Sequence, residues 1–215
     1  MVKKITMAVP KGRILNELIP LLKKVDIVPE KEFFNPDSRK LLFKTNNENL
    51  SLIKVRSFDV ATFVAFGAAQ IGIAGDDVIE EFKYDEIYSI LDLKIGKCRL
   101  SVARKIDKKS SNNKEGHIIV ATKYKNTVTD YFAKKGIRAE CIKLNGAVEL
   151  APKLGICSRI VDLVSTGKTL KENNLKEYEI LMQITSKLII NKIAFKLMND
   201  DITKILKKIK KVVSG

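Results

Sequence analysis

The chain has 215 residues, of which 45% are hydrophobic and 30% charged, a balance typical of a folded globular protein and not of a disordered one. No apolar run approaches the ~20 residues that a membrane-spanning helix needs, the N-terminus does not resemble a signal peptide, and three widely spaced cysteines indicate reduced thiols and a cytoplasmic location. The net charge of +15 is compatible with anionic small-molecule substrates, a lysine-rich background or nucleic acid, and the lack of an arginine-rich tract disfavours nucleic acid.

Short apolar runs alternate with helical patterns along the chain, which predicts βα units and a largely parallel sheet. A strand over 5–9 leads through Pro10–Arg13 into a helix whose leucines recur at helical spacing. The elements predicted after it are strands over 40–45 and 52–56, a helix over 57–66, a short buried strand in AQIGIAGDDV (69–78) that leads into a helix, and two strands within 90–104.

A second βα series follows the polar loop KIDKKSSNNKEG (105–116). Its predicted elements are strands over 117–122, 139–144 and 160–164, helices over 128–135 and 148–154, one strand over 178–190 and an amphipathic helix from 200. The two series predict an α/β protein with two lobes, 1–94 plus 181–215 as lobe I and 95–180 as lobe II. This is the type II periplasmic-binding-protein-like arrangement, with two chain crossovers and a ligand cleft between the lobes.

The stretch IVDLVSTGKTL (160–170) resembles a nucleotide-binding loop. Gly167, Lys168 and Thr169 fill the last three positions of G-x-x-x-x-G-K-[ST], but Asp162 stands where the first glycine belongs. A carboxylate repels a triphosphate, whereas it accepts hydrogen bonds from ribose hydroxyls. The backbone N–H groups and hydroxyls of the loop suit a phosphate. The stretch therefore fits a 5-phosphoribosyl group, with a turn that merely caps a helix as the alternative.

Six further blocks extend this pattern over most of the chain. Together with VDLVSTGKTLKENNL (161–175), they resemble the ATP phosphoribosyltransferases of histidine biosynthesis in order and spacing. The blocks are AVPKGRI (8–14), DSRKLLF (37–43), VRSFDVATFVAFGAAQIGIAGDDV (55–78), LDLKIGKCRLSVA (91–103), ATKY (121–124) and IKLNGAVELAPKLG (142–155). The sequence departs from the commoner residues of that family at Gln70, Asp76, Asn145, Ala147, Ser158 and Arg159.

The resemblance implies that N1 of the ATP adenine attacks C1 of 5-phosphoribosyl 1-pyrophosphate. Pyrophosphate leaves, and N1-(5-phosphoribosyl)-ATP forms as the first step of L-histidine biosynthesis. The anomeric carbon becomes cation-like while the pyrophosphate gathers charge, so the protein must position the substrates and supply cationic groups. Magnesium is implied as well, held mainly by substrate and water, so no dedicated metal ligands are expected.

The resemblance also assigns candidate residues. Those for phosphoribosyl pyrophosphate are Asp162, Ser165, Thr166, Gly167, Lys168, Thr169 and Leu170, with Glu149 as a second candidate for the ribose hydroxyls. Those for ATP are Lys11, Gly12 and Arg13. The catalytic candidates are Arg39 and Arg56, which would stabilise the leaving pyrophosphate through bidentate contacts, within one chain or across a dimer interface.

The length resembles the short, catalytic-only form of the family, without the C-terminal regulatory domain of the long form. That form implies a homodimer of catalytic chains within a hetero-oligomer, in which a subunit similar to histidyl-tRNA synthetase exerts control. A protein that acts alone stays an alternative. The rival function is that of a two-lobed solute-binding protein for a phosphorylated small molecule, which the lack of a secretion signal disfavours.

Overall fold

The computed structural model describes residues 4–106 and 117–214. Within these ranges the chain forms eleven strands and eight α-helices. The strands are β1 Ile5–Pro10, β2 Leu42–Lys44, β3 Leu50–Val55, β4 Ile71–Gly75, β5 Ile87–Asp92, β6 Cys98–Lys105, β7 His117–Thr122, β8 Arg138–Lys143, β9 Arg159–Val164, β10 Leu175–Ile184 and β11 Ser186–Asn191. The helices are α1 Arg13–Lys24, α2 Ser57–Ala65, α3 Asp76–Phe82, α4 Lys125–Lys134, α5 Leu150–Lys153, α6 Lys168–Glu172, α7 Lys192–Leu197 and α8 Asn199–Ser214.

The chain divides into two compact units, each built on one sheet. The first unit comprises Met1–Gly96 and Thr185–Gly215, and the second comprises Lys97–Ile184. The sheet of the first unit has the order β2-β3-β1-β4-β11-β5, and that of the second has the order β10-β6-β9-β7-β8. The polar loop predicted over 105–116 lies outside the described residues from 107 onward.

Both sheets are mixed, so the prediction of a largely parallel sheet is wrong. Parallel pairing is confined to β3-β1-β4 in the first unit and to β9-β7-β8 in the second. The segment predicted as one strand over 178–190 is two strands separated by Thr185. β10 pairs antiparallel to β6 in the second unit, and β11 pairs antiparallel to β4 in the first. An apolar run shows that a strand is buried, but it does not encode the direction in which the strand pairs.

Helices cover both faces of the first sheet. On one face, the apolar stripes of α1 and α8 join the buried side chains of the central strands in one core cluster. On the other face, α2 and α3 pack in a second cluster. Close approach of α2 requires Gly72 in β4, because a Cβ there would lie 2.6 Å from Cγ2 of Val64 and 2.9 Å from Cγ1 of Val60.

The core of the second unit lies under the loop between β9 and α6. Ile160 and Val164 of β9 pack there with Ala103 of β6, Leu170 of α6 and Leu175 of β10. This packing fixes both ends of the loop, because one buried residue precedes it and another follows it. Of the helices in 4–106 and 117–214, none combines the length and the apolar character that a membrane span requires.

Candidate active site

The loop singled out in the sequence connects the end of β9 to α6. β9 ends at Val164 and α6 begins at Lys168, so Ser165, Thr166 and Gly167 form the connection. Gly167 has a φ of 77°, in the left-handed region. A Cβ at this position would meet only Cγ1 of Val164, at 3.9 Å, so the backbone conformation and not a lack of space favours glycine.

Most side chains of the loop face solvent while one anchors it. Thr166, Lys168 and Thr169 are exposed, and Leu170 is buried in the core of the second unit. The Lys168 N–H donates to Oγ1 of Thr166 in a long hydrogen bond of 3.4 Å. Such a contact is expected if the turn merely caps α6, the alternative to a phosphate-binding loop. The Lys168 ammonium lies 3.9 Å from Glu172, and an exposed pair of this kind holds a side chain weakly. The loop therefore presents hydroxyls and an ammonium to solvent on a fixed base.

Two carboxylates lie near this loop in the second unit. Asp162 is half-buried on β9, and its Oδ1 accepts a hydrogen bond of 2.8 Å from the N–H of the following residue. It is the cross-strand partner of Ser101 on β6. Glu149 is half-buried just before α5, and the neighbouring Val148 packs in the same cluster as Leu170. Asp162 and the loop thus lie on one continuous segment, and Glu149 follows a residue of the core cluster that anchors that segment.

An ion pair beneath the loop was not predicted from the sequence. The Nε and Nη2 atoms of Arg99 on β6 each donate to Glu177 on β10 at 2.6 Å, and Nη1 donates to the carbonyl oxygen of Ser165 at 3.3 Å. Oγ of the buried Ser101 donates to the same carboxylate at 2.8 Å. The hydrogen bonds from Arg99 are the largest cause of the lowered pKa of Glu177, and the hydrogen bond from Ser101 lowers this pKa further. The hydrogen bonds to Glu177 in turn raise the pKa of Arg99. Both strands carry several other charged residues, so the sequence held no signal that paired Arg99 with Glu177.

The basic candidates of the first unit lie at the carboxyl ends of its parallel strands. The Lys11 N–H, directly after β1, donates to the carbonyl oxygen of Val55 at the end of β3, which places Lys11 beside Arg56. β2 runs antiparallel to β3, so the chain before Leu42, which includes Arg39, runs along the same end of β3. Arg39 and Arg56 are exposed, and neither side chain forms an ion pair or hydrogen bond with another described residue. Parallel sheets bind ligands at this edge.

The turn between β1 and α1 is held by its own contacts. Gly12 has a φ of 88° and precedes the first residue of the helix. Nη2 of Arg13 donates to the carbonyl oxygen of Gly96 at 3.2 Å, and the N–H of Gly96 donates to the carboxylate of Glu17 at 2.8 Å. The turn is therefore tied to the end of the first unit at Gly96.

A further cation at this edge was also missed. Lys54 on β3 is half-buried, with its ammonium 4.4 Å from the ring centroid of Phe33 and 5.1 Å from that of Phe43. Burial lowers the pKa of Lys54, and the charge of Lys11 lowers it further. Lys54 therefore adds a further positive charge to the end of β3, where Lys11 and Arg56 also lie.

Two of the departures from the family pattern have structural roles. Oε1 of Gln70 accepts the N–H of Thr6 at 2.8 Å. Oδ2 of Asp76 accepts both the N–H and the hydroxyl of Thr185, at 2.9 and 3.1 Å. The second contact holds the start of the returning segment against the end of β4.

The described residues contain no group of three or more His, Cys, Asp or Glu side chains placed to hold a metal ion. The acidic side chains predicted for the second-unit site are Asp162 and Glu149, both half-buried. Glu172 and Glu177 are paired with Lys168 and Arg99. Such a donor set fits a cation that arrives coordinated by an anionic substrate and water, not one bound in a complete protein cage.

The fold of this chain is similar to the folds of two solved structures. The periplasmic aliphatic sulphonate binding protein SsuA of Escherichia coli superposes with a TM-score of 0.60 at 12% identity, over 99% of this chain and 73% of that one. The "ATP phosphoribosyl transferase (HisG:HisZ) complex" of Thermotoga maritima superposes with a TM-score of 0.83 at 30% identity, over 98% of both chains. The first likeness, together with the two mixed sheets, defines the two-lobed type II periplasmic-binding-protein-like fold.

The sequence comparisons identify the family. The family profile "HisG: ATP phosphoribosyltransferase" matches residues 56–211. The ATP phosphoribosyltransferase of Paramagnetospirillum magneticum is 52% identical over 214 residues, which cover 99% of this chain and 98% of that protein. The chain belongs to the ATP phosphoribosyltransferase family.

Proposed function

We propose that this chain joins ATP to 5-phosphoribosyl 1-pyrophosphate, giving N1-(5-phosphoribosyl)-ATP and pyrophosphate, the first step of L-histidine biosynthesis. The observation that carries the proposal is the loop after β9, in a chain that belongs to this family. The loop combines a left-handed glycine, exposed hydroxyls and a carboxylate at its head. A solute-binding protein shares the fold, but the identity of 52% over nearly the whole chain favours the enzyme.

In the proposed complex, the 5-phosphate lies against the loop between Ser165 and Leu170. Backbone N–H groups and the hydroxyls of Thr166 and Thr169 donate to its oxygens, and the exposed Lys168 adds positive charge. Asp162 accepts hydrogen bonds from the ribose hydroxyls, a role that suits a half-buried carboxylate whose orientation is fixed by a backbone N–H. Glu149 is a second acceptor in the same region.

The basic edge of the first unit suits ATP and the pyrophosphate group of phosphoribosyl pyrophosphate, which are both anionic. We assign Lys11, Gly12 and Arg13 to ATP. Arg39 and Arg56 are assigned to the charge that develops on the departing pyrophosphate. Both guanidinium groups are exposed and have no partner among the described side chains, so a phosphate gains their full hydrogen-bonding capacity. Such interactions accelerate the reaction when they strengthen in the transition state.

A divalent cation belongs to this chemistry, and we propose Mg²⁺. When bound to pyrophosphate oxygens it neutralises the charge of the leaving group. Asp162 and Glu149 are the carboxylates of the second-unit region that would meet its hydration shell. The remaining work falls to the protein, which must hold the adenine N1 and the anomeric carbon in line and exclude water.

The Thermotoga maritima structure is a HisG:HisZ complex. From the resemblance to the short form of the family, we propose that the present chain forms a homodimer of catalytic subunits. We further propose that this dimer assembles with a regulatory subunit similar to histidyl-tRNA synthetase. Sedimentation of the chain alone and with that subunit would test both assemblies.

Turnover tests the proposed function directly. The purified chain, with and without the regulatory subunit, should release pyrophosphate only when ATP, phosphoribosyl pyrophosphate and Mg²⁺ are all present. A protein that binds a phosphorylated sugar but never releases pyrophosphate, under either condition, would be a solute-binding protein instead.

The loop assignment has its own test. The double variant Thr166→Ala/Thr169→Ala should raise the dissociation constant of phosphoribosyl pyrophosphate by about 10-fold or more, because two hydrogen bonds to a charged group are lost. The constant for ATP should change little. Thr129→Ala, at another exposed threonine of the second unit, is the control. Equal weakening of both ligands would remove the phosphate from this loop.

A further inference from the structure

The side chain of Arg99 connects two structural elements of the second unit. Its Nε and Nη2 atoms form a bidentate fork with Glu177, at 2.6 Å each, while Nη1 reaches the carbonyl oxygen of Ser165, at 3.3 Å. Ser101 donates a further hydrogen bond to Glu177, at 2.8 Å, from a fully buried position. A fork held by two charge-assisted bonds fixes the plane of a guanidinium group. The third donor therefore has a defined direction.

The contact with Ser165 fixes more than one atom of the loop. The peptide bond between Ser165 and Thr166 is planar and trans, so its carbonyl oxygen and its N–H point in opposite directions. Because Arg99 donates to the oxygen, the N–H of Thr166 is directed to the opposite side of this peptide. Gly167 then continues the loop in its left-handed conformation. One side-chain contact thus sets the direction of the first backbone donor of the loop.

The charge of Arg99 is balanced at its position. Glu177 accepts two of its hydrogen bonds, and the pair lies between strands with about a quarter of each side chain exposed. A balanced guanidinium adds little net attraction for a phosphate. Its effect on the loop is therefore geometric.

We infer that Arg99, held by Glu177 and Ser101, is a positioning residue that orients the phosphate-binding loop through the carbonyl oxygen of Ser165. The inference rests on the proposed function, because it takes the loop to bind the 5-phosphate of phosphoribosyl pyrophosphate. Arg99 itself does not contact the substrate. It presets the loop, so that binding does not have to order the Ser165–Thr166 peptide.

The test separates this geometric role from a role in stability. Arg99→Met removes the donor but leaves Glu177 without its partner, which destabilises the fold as well. Arg99→Met/Glu177→Met removes both charges and should recover much of the lost thermal stability. The matched control is Glu179→Gln, on the same strand as Glu177, which breaks an ion pair with Lys135 after α4 without touching the loop.

The readout is the dissociation constant of phosphoribosyl pyrophosphate by calorimetry, with ATP measured alongside. Both Arg99 variants should bind phosphoribosyl pyrophosphate about 10- to 100-fold more weakly, because binding must then order the Ser165–Thr166 peptide, with ATP unchanged. Amide hydrogen exchange over 165–170 should accelerate in both variants and stay at the wild-type rate in Glu179→Gln. Recovery of wild-type affinity in the double variant, together with its stability, would overturn the positioning role.

The same measurements keep the two proposals apart. A wild-type protein that binds phosphoribosyl pyrophosphate but does not transfer it to ATP would refute the proposed reaction alone. The positioning role would then still be supported or overturned by the dissociation constants of the variants. A wild-type protein that does not bind phosphoribosyl pyrophosphate would refute both.

Discussion

Gly167→Ala measures how much the loop conformation contributes to binding. The glycine has a φ of 77°, and an added Cβ would meet only one atom, at an ordinary contact distance of 3.9 Å. The whole effect therefore comes from placing an alanine in the left-handed region, which costs about 1 to 2 kcal/mol. Because the residues around Gly167 are largely exposed, the loop can relax in the free protein. The bound ligand requires the original conformation, so the free energy of this strain is subtracted from the free energy of binding.

This reasoning converts into an expected affinity. A strain of about 1 to 2 kcal/mol corresponds to about a 5- to 30-fold rise in the dissociation constant of phosphoribosyl pyrophosphate. The control is Gly136→Ala, in the turn between α4 and β8. That glycine has a φ of 71° and no atom within 4 Å of an added Cβ. It should destabilise the fold by a similar amount without changing affinity.

Calorimetric titration gives the affinities, and urea denaturation gives the free energies of unfolding. Asparagine tolerates the left-handed region better than alanine, so Gly167→Asn should fall between the wild type and Gly167→Ala. Two results would refute the reasoning. One is a Gly167→Ala protein with wild-type affinity, and the other is equal weakening by Gly136→Ala.

Three further outcomes follow from other parts of the molecule. Arg39→Ala should lower kcat more than it raises either KM, while the exposed Arg138→Ala should change neither; an effect confined to KM would exclude a transition-state role. Gly72→Ala should reduce the free energy of unfolding by about 1 to 3 kcal/mol in urea, because an added Cβ would lie 2.6 Å from a valine of α2; wild-type stability would contradict that packing. Hydrogen bonds from Arg99 hold the pKa of Glu177 below 4.5, so their stabilising effect is present above pH 4.5 and lost as the pH falls through the lower, folded-state pKa. The stability of the wild type should therefore fall more steeply below pH 4.5 than that of Glu177→Gln, and parallel urea-derived curves would argue against the pair.

Strong local patterns were enough to locate many elements. The strand predicted over 117–122 has the same bounds as β7, and the alternation of strands with helices gave the α/β class. The helix α7 was missed although its signal was present, since Asn191 accepts the N–H of Ala194 at 2.9 Å as an N-cap residue does. The break at Thr185 was missed for a different reason. Its neighbours on both sides have strand patterns, and only pairing with two different sheets separates them.

In the candidate site, too, features encoded by consecutive residues could be predicted, whereas contacts between residues far apart in the sequence could not. The left-handed glycine and the exposed hydroxyls of the loop follow from a few consecutive residues, so the sequence indicates them. The support beneath the loop joins Arg99 to Glu177, which are 78 positions apart. No local period connects the two, and neither charge alone identifies its partner. The roles of the individual site residues stay predictions until ligand binding is measured.

The position of Glu177 depends on an irregularity that no sequence period contains. In a regular strand, Glu177 and Glu179 would point to the same side of the sheet. The pairing of β10 with β6 shifts between them, so that Glu177 lies opposite Ala103 and Glu179 lies opposite the adjacent Val102. Adjacent residues of β6 face opposite sides of the sheet. The bulge therefore directs the carboxylate of Glu177 toward Arg99 and that of Glu179 toward Lys135, directly after α4. The bulge thus gives each carboxylate its own cationic partner, Arg99 for Glu177 and Lys135 for Glu179. One extra residue in β10 therefore sets the side of the sheet on which Glu177 meets Arg99, the residue proposed to orient the loop.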